Sequence, residues 1–226
     1  MRVIFNEELK AVADDLDRMA QDVRKAINGA GDALLNQNLE AAQAVIDGDI
    51  EIDALESSVI DQCVKLLAKQ NPVATDLRVV VSTLRLAATF ERMGDLARHI
   101  AEAARRTYPA SPLPADAQPL FAEIHSFLDH VADQVVSMLN DRDTKTAEEI
   151  ILNDDKLDAL HKKTFELAQS ENWSGTNQQL IDVVLIGRFM ERLGDHAVSA
   201  ARRVVFIVSG FDPSKEPTRD EGTDID

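Results

Sequence analysis

An all-α fold, two tandem antiparallel three-helix bundles, is what this chain predicts, and three observations carry it. The composition favours helices: aromatics make up 4%, hydrophobic residues 45% and charged residues 28%. Ala, Leu, Asp, Glu and Arg are abundant, which points to helices rather than sheets. The chain also repeats itself, since residues 76–106 match 176–206 at an offset of 100, with positions 91, 92, 94, 95 and 97 identical in the two copies. Finally, T-Y-P-A-S-P-L-P-A-D-A-Q-P at 107–119 holds four of the seven prolines, and proline lacks the N–H that a helix would need there.

Each half reads as three helices. The first gives 4–36, 39–70 and 76–106; the second gives 117–141, 145–170 and 176–209. A second internal match fixes the turn between helices two and three. D-I-E-I-D-A-L, Asp49 to Leu55, corresponds to D-D-K-L-D-A-L, Asp154 to Leu160, at an offset of 105. The five-residue difference falls where K-Q-N-P-V-A-T faces the shorter E-N-W-S-G, and length variation belongs in a turn. The predicted organisation is therefore a first repeat at 1–106, a linker at 107–119, a second repeat at 120–210 and a tail at 211–226. The tail is polar, acidic and aperiodic, and reads as disordered.

Charge and cysteine content narrow the function. A formal net charge of −16 argues against nucleic acid or an anionic membrane surface as partner, and repels free phosphate unless cations intervene. One cysteine, Cys63, excludes an internal disulfide and fits a reducing compartment. The N-terminus, M-R-V-I-F-N-E-E-L-K, carries charges where a signal peptide needs its apolar region, and no apolar run reaches the ~18 residues a membrane span needs. A soluble, cytoplasmic protein is expected. Walker A, dinucleotide-binding and G-x-S-x-G motifs are missing.

The chemistry-bearing feature is E-R-M-G-D, Glu91 to Asp95, repeated as E-R-L-G-D, Glu191 to Asp195. On a helical wheel Leu86, Phe90, Met93, Ala97 and Ile100 form one apolar side. Met190, Leu193, Ala197, Ala200, Val204 and Val208 form its equivalent. The acids lie opposite, which predicts a surface position for them. Helix two adds Asp49 with Asp53, and Asp154 with Asp158, flanking the apolar side made by Ile52, Leu55 and Val59, or by Leu157 and Leu160. Counted from the interhelical turns, the two acid pairs of each half stand level, so four carboxylates should converge twice. Gly94 and Gly194, costing about 1 kcal/mol each relative to Ala in mid-helix, would let another helix or a bound group come close.

Converging carboxylates need neutralising. Arg92 and Arg192 offer ion pairs; bound cations offer more, since carboxylate oxygens suit Mg²⁺, Mn²⁺ or Ca²⁺, and a histidine such as His99 or His196 admits iron or zinc. The plain alternative is a solvated, salt-bridged face. Duplication favours one metal site per bundle. His125, His130 and His161 read as surface or core-edge histidines, and Cys63 as a buried small hydrophobe. Arg78, Arg85, Arg105 and Arg106 read as surface charge. A carboxylate-bridged metal enzyme is the competing function, but the Glu-x-x-His pairs of di-iron oxidases are lacking in both halves.

On these residues the chain resembles the PhoU family of phosphate-transport accessory regulators. The likeness rests on N-P-V-A-T-D-L-R at 71–78, E-R-M-G-D-L-A at 91–97 and G-R-F-M-E-R-L-G-D-H-A at 187–197. The linker and R-R-V-V-F-I-V-S-G are similar to actinobacterial members. The resemblance implies two three-helix bundles related by a pseudo-two-fold, and metal ions (Mg, Mn, Fe or Zn) held by Glu91, Asp95, Asp49 and Asp53 and by Glu191, Asp195, Asp154 and Asp158. It also implies a homodimer that represses the phosphate-starvation response, contacting the phosphate ABC transporter's ATPase subunit and a sensor histidine kinase, and reaching the membrane only through partners. Thr89 and Phe189 depart from the usual acid or tyrosine, and His99 and Ser199 from the usual asparagine.

Overall fold

The computed structural model describes residues 2–211, with side chains from Phe5 onward. Apart from Phe211, the expected disordered tail lies outside the described residues. Seven helices occur among them: α1 Arg2–Asn36, α2 Leu39–Gln70, α3 Ala74–Thr107, α4 Gln118–Asp141, α5 Thr144–Leu152, α6 Asp154–Ala168 and α7 Asn177–Ser209. No described residue is in a strand.

The boundaries have local causes. The Asn38 side chain caps α2 by accepting from the Ala41 amide, and Asn71, in the left-handed conformation, ends it just before Pro72. Asn tolerates that conformation better than most residues. Thr176 and Gln179 form a reciprocal capping box that opens α7, satisfying two otherwise unpaired groups. Gly210, at φ 76°, closes it.

One expected helix is two. The span predicted at 145–170 breaks at Asn153 (φ −92°, ψ 0°), so α6 opens afresh with Asp154 and Asp155 in its first turn. Acidic side chains suit a helix N-terminus because its amides and dipole are positive. Asp154 therefore sits at a helix start, whereas its counterpart Asp49 lies mid-helix.

Helices α1, α2 and α3 pack together, as do α4 to α7, and the two groups meet through α3 against α7 and α1 against α4. Equivalent helices thus pair across the join, as a two-fold relation between copies requires. The expected core faces are buried, with Phe90, Ala97 and Ala197 at 0% exposure and Leu86, Met93, Ile100 and Leu193 close behind. Val208 is the exception: it is 47% exposed. Cys63 is fully buried, and desolvation pushes its thiol up to about 11, fitting its expected role as a hydrophobe.

Two of the arginines read as surface charge instead join the halves. Arg106 reaches Asp182 at 2.6 Å, and Asp182 is buried. At the other end of the same antiparallel contact, Arg78 donates to the Ile207 carbonyl at 3.2 Å and lies over the Phe206 ring.

Candidate metal centres

Both acidic clusters form where helix three meets helix two. A Cβ on Gly94 would lie 3.0 Å from Ile52 Cδ1 and 3.3 Å from Asp49 Oδ1. On Gly194 it would lie 2.2 Å from Leu157 Cδ2 and 3.9 Å from Asp154 Oδ1. In each copy the missing side chain lets the apolar ridge and the first aspartate of helix two come against helix three. This close approach also places Glu91, Asp95 and Glu191 deeper than the wheel predicted. The side chains of Glu91 and Asp95 are 18% and 21% exposed, Asp49 10% and Glu191 12%. For Glu91, Asp95 and Glu191 the expectation of a surface position is corrected, because the facing helix partly covers them; Asp195 is exposed as expected, and Asp53 and Asp158 are exposed too.

Mutual influence shows that the acids converge as the register predicts. Asp49 lies within the field of Asp53 and Asp95, and Glu91 within that of Asp95 and Asp53. Glu56, which the sequence reading missed, also faces Glu91. In the second copy Asp154 feels Asp158 and Asp195, and Glu191 feels Asp195 and Asp158. Desolvation first, and like charge after it, raise Asp49, Glu91, Asp154 and Glu191 above the ordinary carboxylate range.

Neutralisation differs between the copies. In the first, Arg98 bridges the cluster. Its Nη2 donates to Asp95 Oδ1 at 2.7 Å and its Nη1 to Glu102 Oε1 at 2.9 Å. Its Nε pairs by charge with Asp49 Oδ2 at 2.6 Å. Arg92, the cation picked from sequence, contributes at the exposed edge through Asp95 and Glu91. Burial pushes Asp95 up, but the Arg98 hydrogen bond and the charges of Arg98 and Arg92 outweigh it and hold this carboxyl below its usual range. The hydrogen bond that Arg98 donates to Asp95 in turn raises Arg98.

The residue equivalent to Arg98 is Val198, and it is buried. Arg188 pairs with Glu191 Oε1, but no ion pair within 4.0 Å holds Asp154, Asp158 or Asp195 among the described residues. Arg192, expected to neutralise this cluster, makes no such pair with it; its charge acts on His196. Two buried atoms, Glu191 Oε2 and His161 Nε2, lack a hydrogen-bond partner.

The histidines change places with respect to expectation. His99 lies against Phe189, ring centroids 5.3 Å apart and tilted, and lines a groove of about 560 Å³ with Arg106 and Asp182, while its charge still acts on Asp95. The imidazole beside the second cluster is His161, with Nδ1 4.0 Å from Glu191 Oε1. Its spacing from Asp158, three residues on one helix, was the available signal. His125, read as a core-edge residue, packs over Gly31.

Tested against a cation, the two donor sets differ. The second offers four carboxylates, an imidazole and an unpartnered buried carboxylate oxygen, which suits a hard or borderline ion. The first has its inner oxygens occupied by a guanidinium. Among the described residues no three acidic, histidine or cysteine side chains are already placed around one ion, so an ion in either copy must draw carboxylates inward.

The PhoU domain family profile matches residues 16–104 and 121–204. A Mycobacterium leprae protein named phosphate-specific transport system accessory protein PhoU homolog 1 is 35% identical over 96% of this chain and 97% of its own length. PhoU homolog 2 of Mycobacterium tuberculosis is 35% identical over 94% of this chain and its whole length. Among solved structures, PhoU from Pseudomonas aeruginosa superposes with a TM-score of 0.82 at 25% identity, covering 92% of this chain and 100% of that one. The regulatory protein PhoU from Streptococcus pneumoniae gives 0.81 at 22% identity, covering 92% and 98%, a likeness of fold.

Proposed function

This chain belongs to the PhoU family, and from that premise we propose that it is a non-catalytic, cytoplasmic regulator of phosphate uptake. It restrains the phosphate-starvation response while phosphate is plentiful. Its partners are the ATPase subunit of the phosphate-importing ABC transporter and the phosphate-sensing histidine kinase, and it works as a homodimer. The observation that carries this reading is the end-to-end likeness to accessory proteins of the phosphate-specific transport system, with the doubled acidic motif in register. No described helix is long and apolar enough to cross a membrane, which fits a protein that meets the membrane through its partners.

The acidic clusters are the part that responds to cations. Asp154, Asp158, Glu191 and Asp195 are the residues that would hold divalent or trivalent ions, and Asp49, Asp53, Glu91 and Asp95 are the equivalent set in the first copy. A bound ion supplies positive charge that lets neighbouring carboxylates remain ionised against one another. The chain's own residues set the geometry: the two glycines admit helix two, and the flanking leucine or isoleucine excludes water from the inner oxygens.

Deleting the gene and following a phosphate-starvation reporter in phosphate-rich medium tests the reading. Reporter expression should become independent of phosphate, and the wild-type gene should restore repression. A reporter that stays repressed in the deletion strain would remove the regulatory role. Tagged protein purified from phosphate-rich cells should bring down the transporter ATPase and the kinase.

A further inference from the structure

We infer that Arg98 is the resident cation of the first acidic cluster, so that the chain's capacity to bind a metal ion resides in the second cluster. The inference rests on the proposal that these clusters respond to cations, and goes beyond it by assigning the two copies different occupants.

The geometry is specific. A guanidinium presents five N–H donors in a rigid plane; Arg98 donates to Asp95 and Glu102 at 2.7 and 2.9 Å, and its Nε, without a hydrogen-bond partner of its own, forms an ion pair with Asp49 at 2.6 Å. Asp49 and Asp95 are the two acids that a cation between α2 and α3 would bridge. With Arg98 only 27% exposed, the ion pairs are sheltered from bulk water, and an incoming ion must displace a charge-assisted network rather than water. The opposite holds in the second copy. Val198 puts an apolar side chain at the equivalent position, so it can neutralise nothing. Arg188 grips Glu191 from the outer edge and leaves Oε2 buried without a partner. His161 stands close by with its Nε2 equally unpartnered. Arg202, one turn beyond Val198, acts on Asp154 through its charge without forming an ion pair within 4.0 Å. One copy has thus internalised its counter-charge and the other has not.

Mn²⁺ titrated into chelator-treated full-length protein, followed by calorimetry and by electron paramagnetic resonance, tests this. Wild type should take up Mn²⁺ in a single class of site. That class should vanish in Asp154→Ala/Asp195→Ala and persist in Asp49→Ala/Asp95→Ala. Val198→Arg, placing a guanidinium where the first copy has one, should abolish uptake. Arg98→Val should gain a second class of site, and Mn²⁺ at about a hundredfold the Kd of that site should raise the melting temperature of the variant by roughly 5–10 °C more than it raises that of wild type. If Arg98→Val does not fold, Val198→Arg and the two alanine pairs decide the matter, because neither of the latter relies on an unpaired first cluster. Wild-type uptake that falls in both alanine pairs would overturn the role of Arg98 while leaving the metal reading standing. No Mn²⁺ uptake by any folded variant would overturn the metal reading itself, and this inference with it.

Discussion

The first and second acidic clusters share a backbone plan and differ in how they handle repulsion. In both, a glycine in helix three admits helix two and brings four carboxylates to one level. In the first, Arg98 bridges α3 to Asp49 on α2, so the cluster fastens its bundle. In the second, Val198 adds to the core and the acids repel one another with Arg188 as their near cation. A duplicated fold thus preserves spacing more strictly than charge. Spacing is demanded by packing at every residue of the interface, whereas the sign of one neighbour can change without moving the backbone.

Perturbing each copy in parallel sharpens that contrast. The largest effect should come at the join between them. Arg106→Ala strips the only cationic partner within ion-pair distance of Asp182 among the described residues, leaving a buried carboxylate beside Gln178. Unpairing a buried charge costs about 3–5 kcal/mol, so chemical denaturation should show the chain losing stability by roughly that much. Arg98→Val comes next. In metal-free buffer it should cost about 2–3 kcal/mol, less than a fully buried pair because the network is partly wet. Val198→Ala removes only two methyl groups and should cost about 1–2 kcal/mol. Equal losses in this pair would erase the distinction between a fastened and an unfastened cluster.

The glycines give a smaller, signed comparison. Alanine gains about 1 kcal/mol of helix propensity at either position. At Gly94 it meets the flexible tip of Ile52 and the Asp49 carboxylate at 3.0–3.3 Å, so the two effects nearly cancel. At Gly194 the 2.2 Å approach to Leu157 forces a buried side chain to move, a packing cost of about 1–3 kcal/mol. Thermal melts should place Gly194→Ala below Gly94→Ala.

The smallest effect is in pH dependence. A carboxyl raised by folding binds its proton better in the native state. It therefore adds stability below its ordinary value, an addition lost as pH rises through the native one. Asp154 and Glu191 are both of this kind. Among the first-copy acids, Asp49 and Glu91 are too, but Asp95 is lowered, so its contribution is present above its ordinary value of 3.8 and is lost as pH falls through the native one. Half-buried His161 and His196, both lowered by desolvation first, cost stability as pH drops through 6.5. Relative to wild type, Asp154→Asn/Glu191→Gln should lose ground as the pH falls toward 4.5. Asp95→Asn should gain ground only below pH 3.8, as wild type loses the Asp95 contribution. Parallel melting curves for the two variants would contradict the assignment.

Periodicity and duplication in the sequence were enough to determine the helical class, the paired core faces, the turns and the level at which the acids stand. Each of these follows from local rules, the 3.6-residue repeat, proline's missing donor and the equal counting of residues from a hairpin turn. Tertiary structure decided the rest. Arg98 and Arg92 both precede or follow Asp95 by three residues, and only the approach of α2 shows that Arg98 reaches Asp49. His161, dismissed along one helix, acquires its setting from Glu191 on another. The break at Asn153 escaped detection because Asn is tolerated within a helix and the apolar pattern runs on across it. The burial of Asp49, the partial cover over Glu91 and Glu191 and the clasp of Arg106 on Asp182 depend on which surfaces meet, and a side chain's electrostatic partner is set by distance through space, which no one-dimensional spacing records.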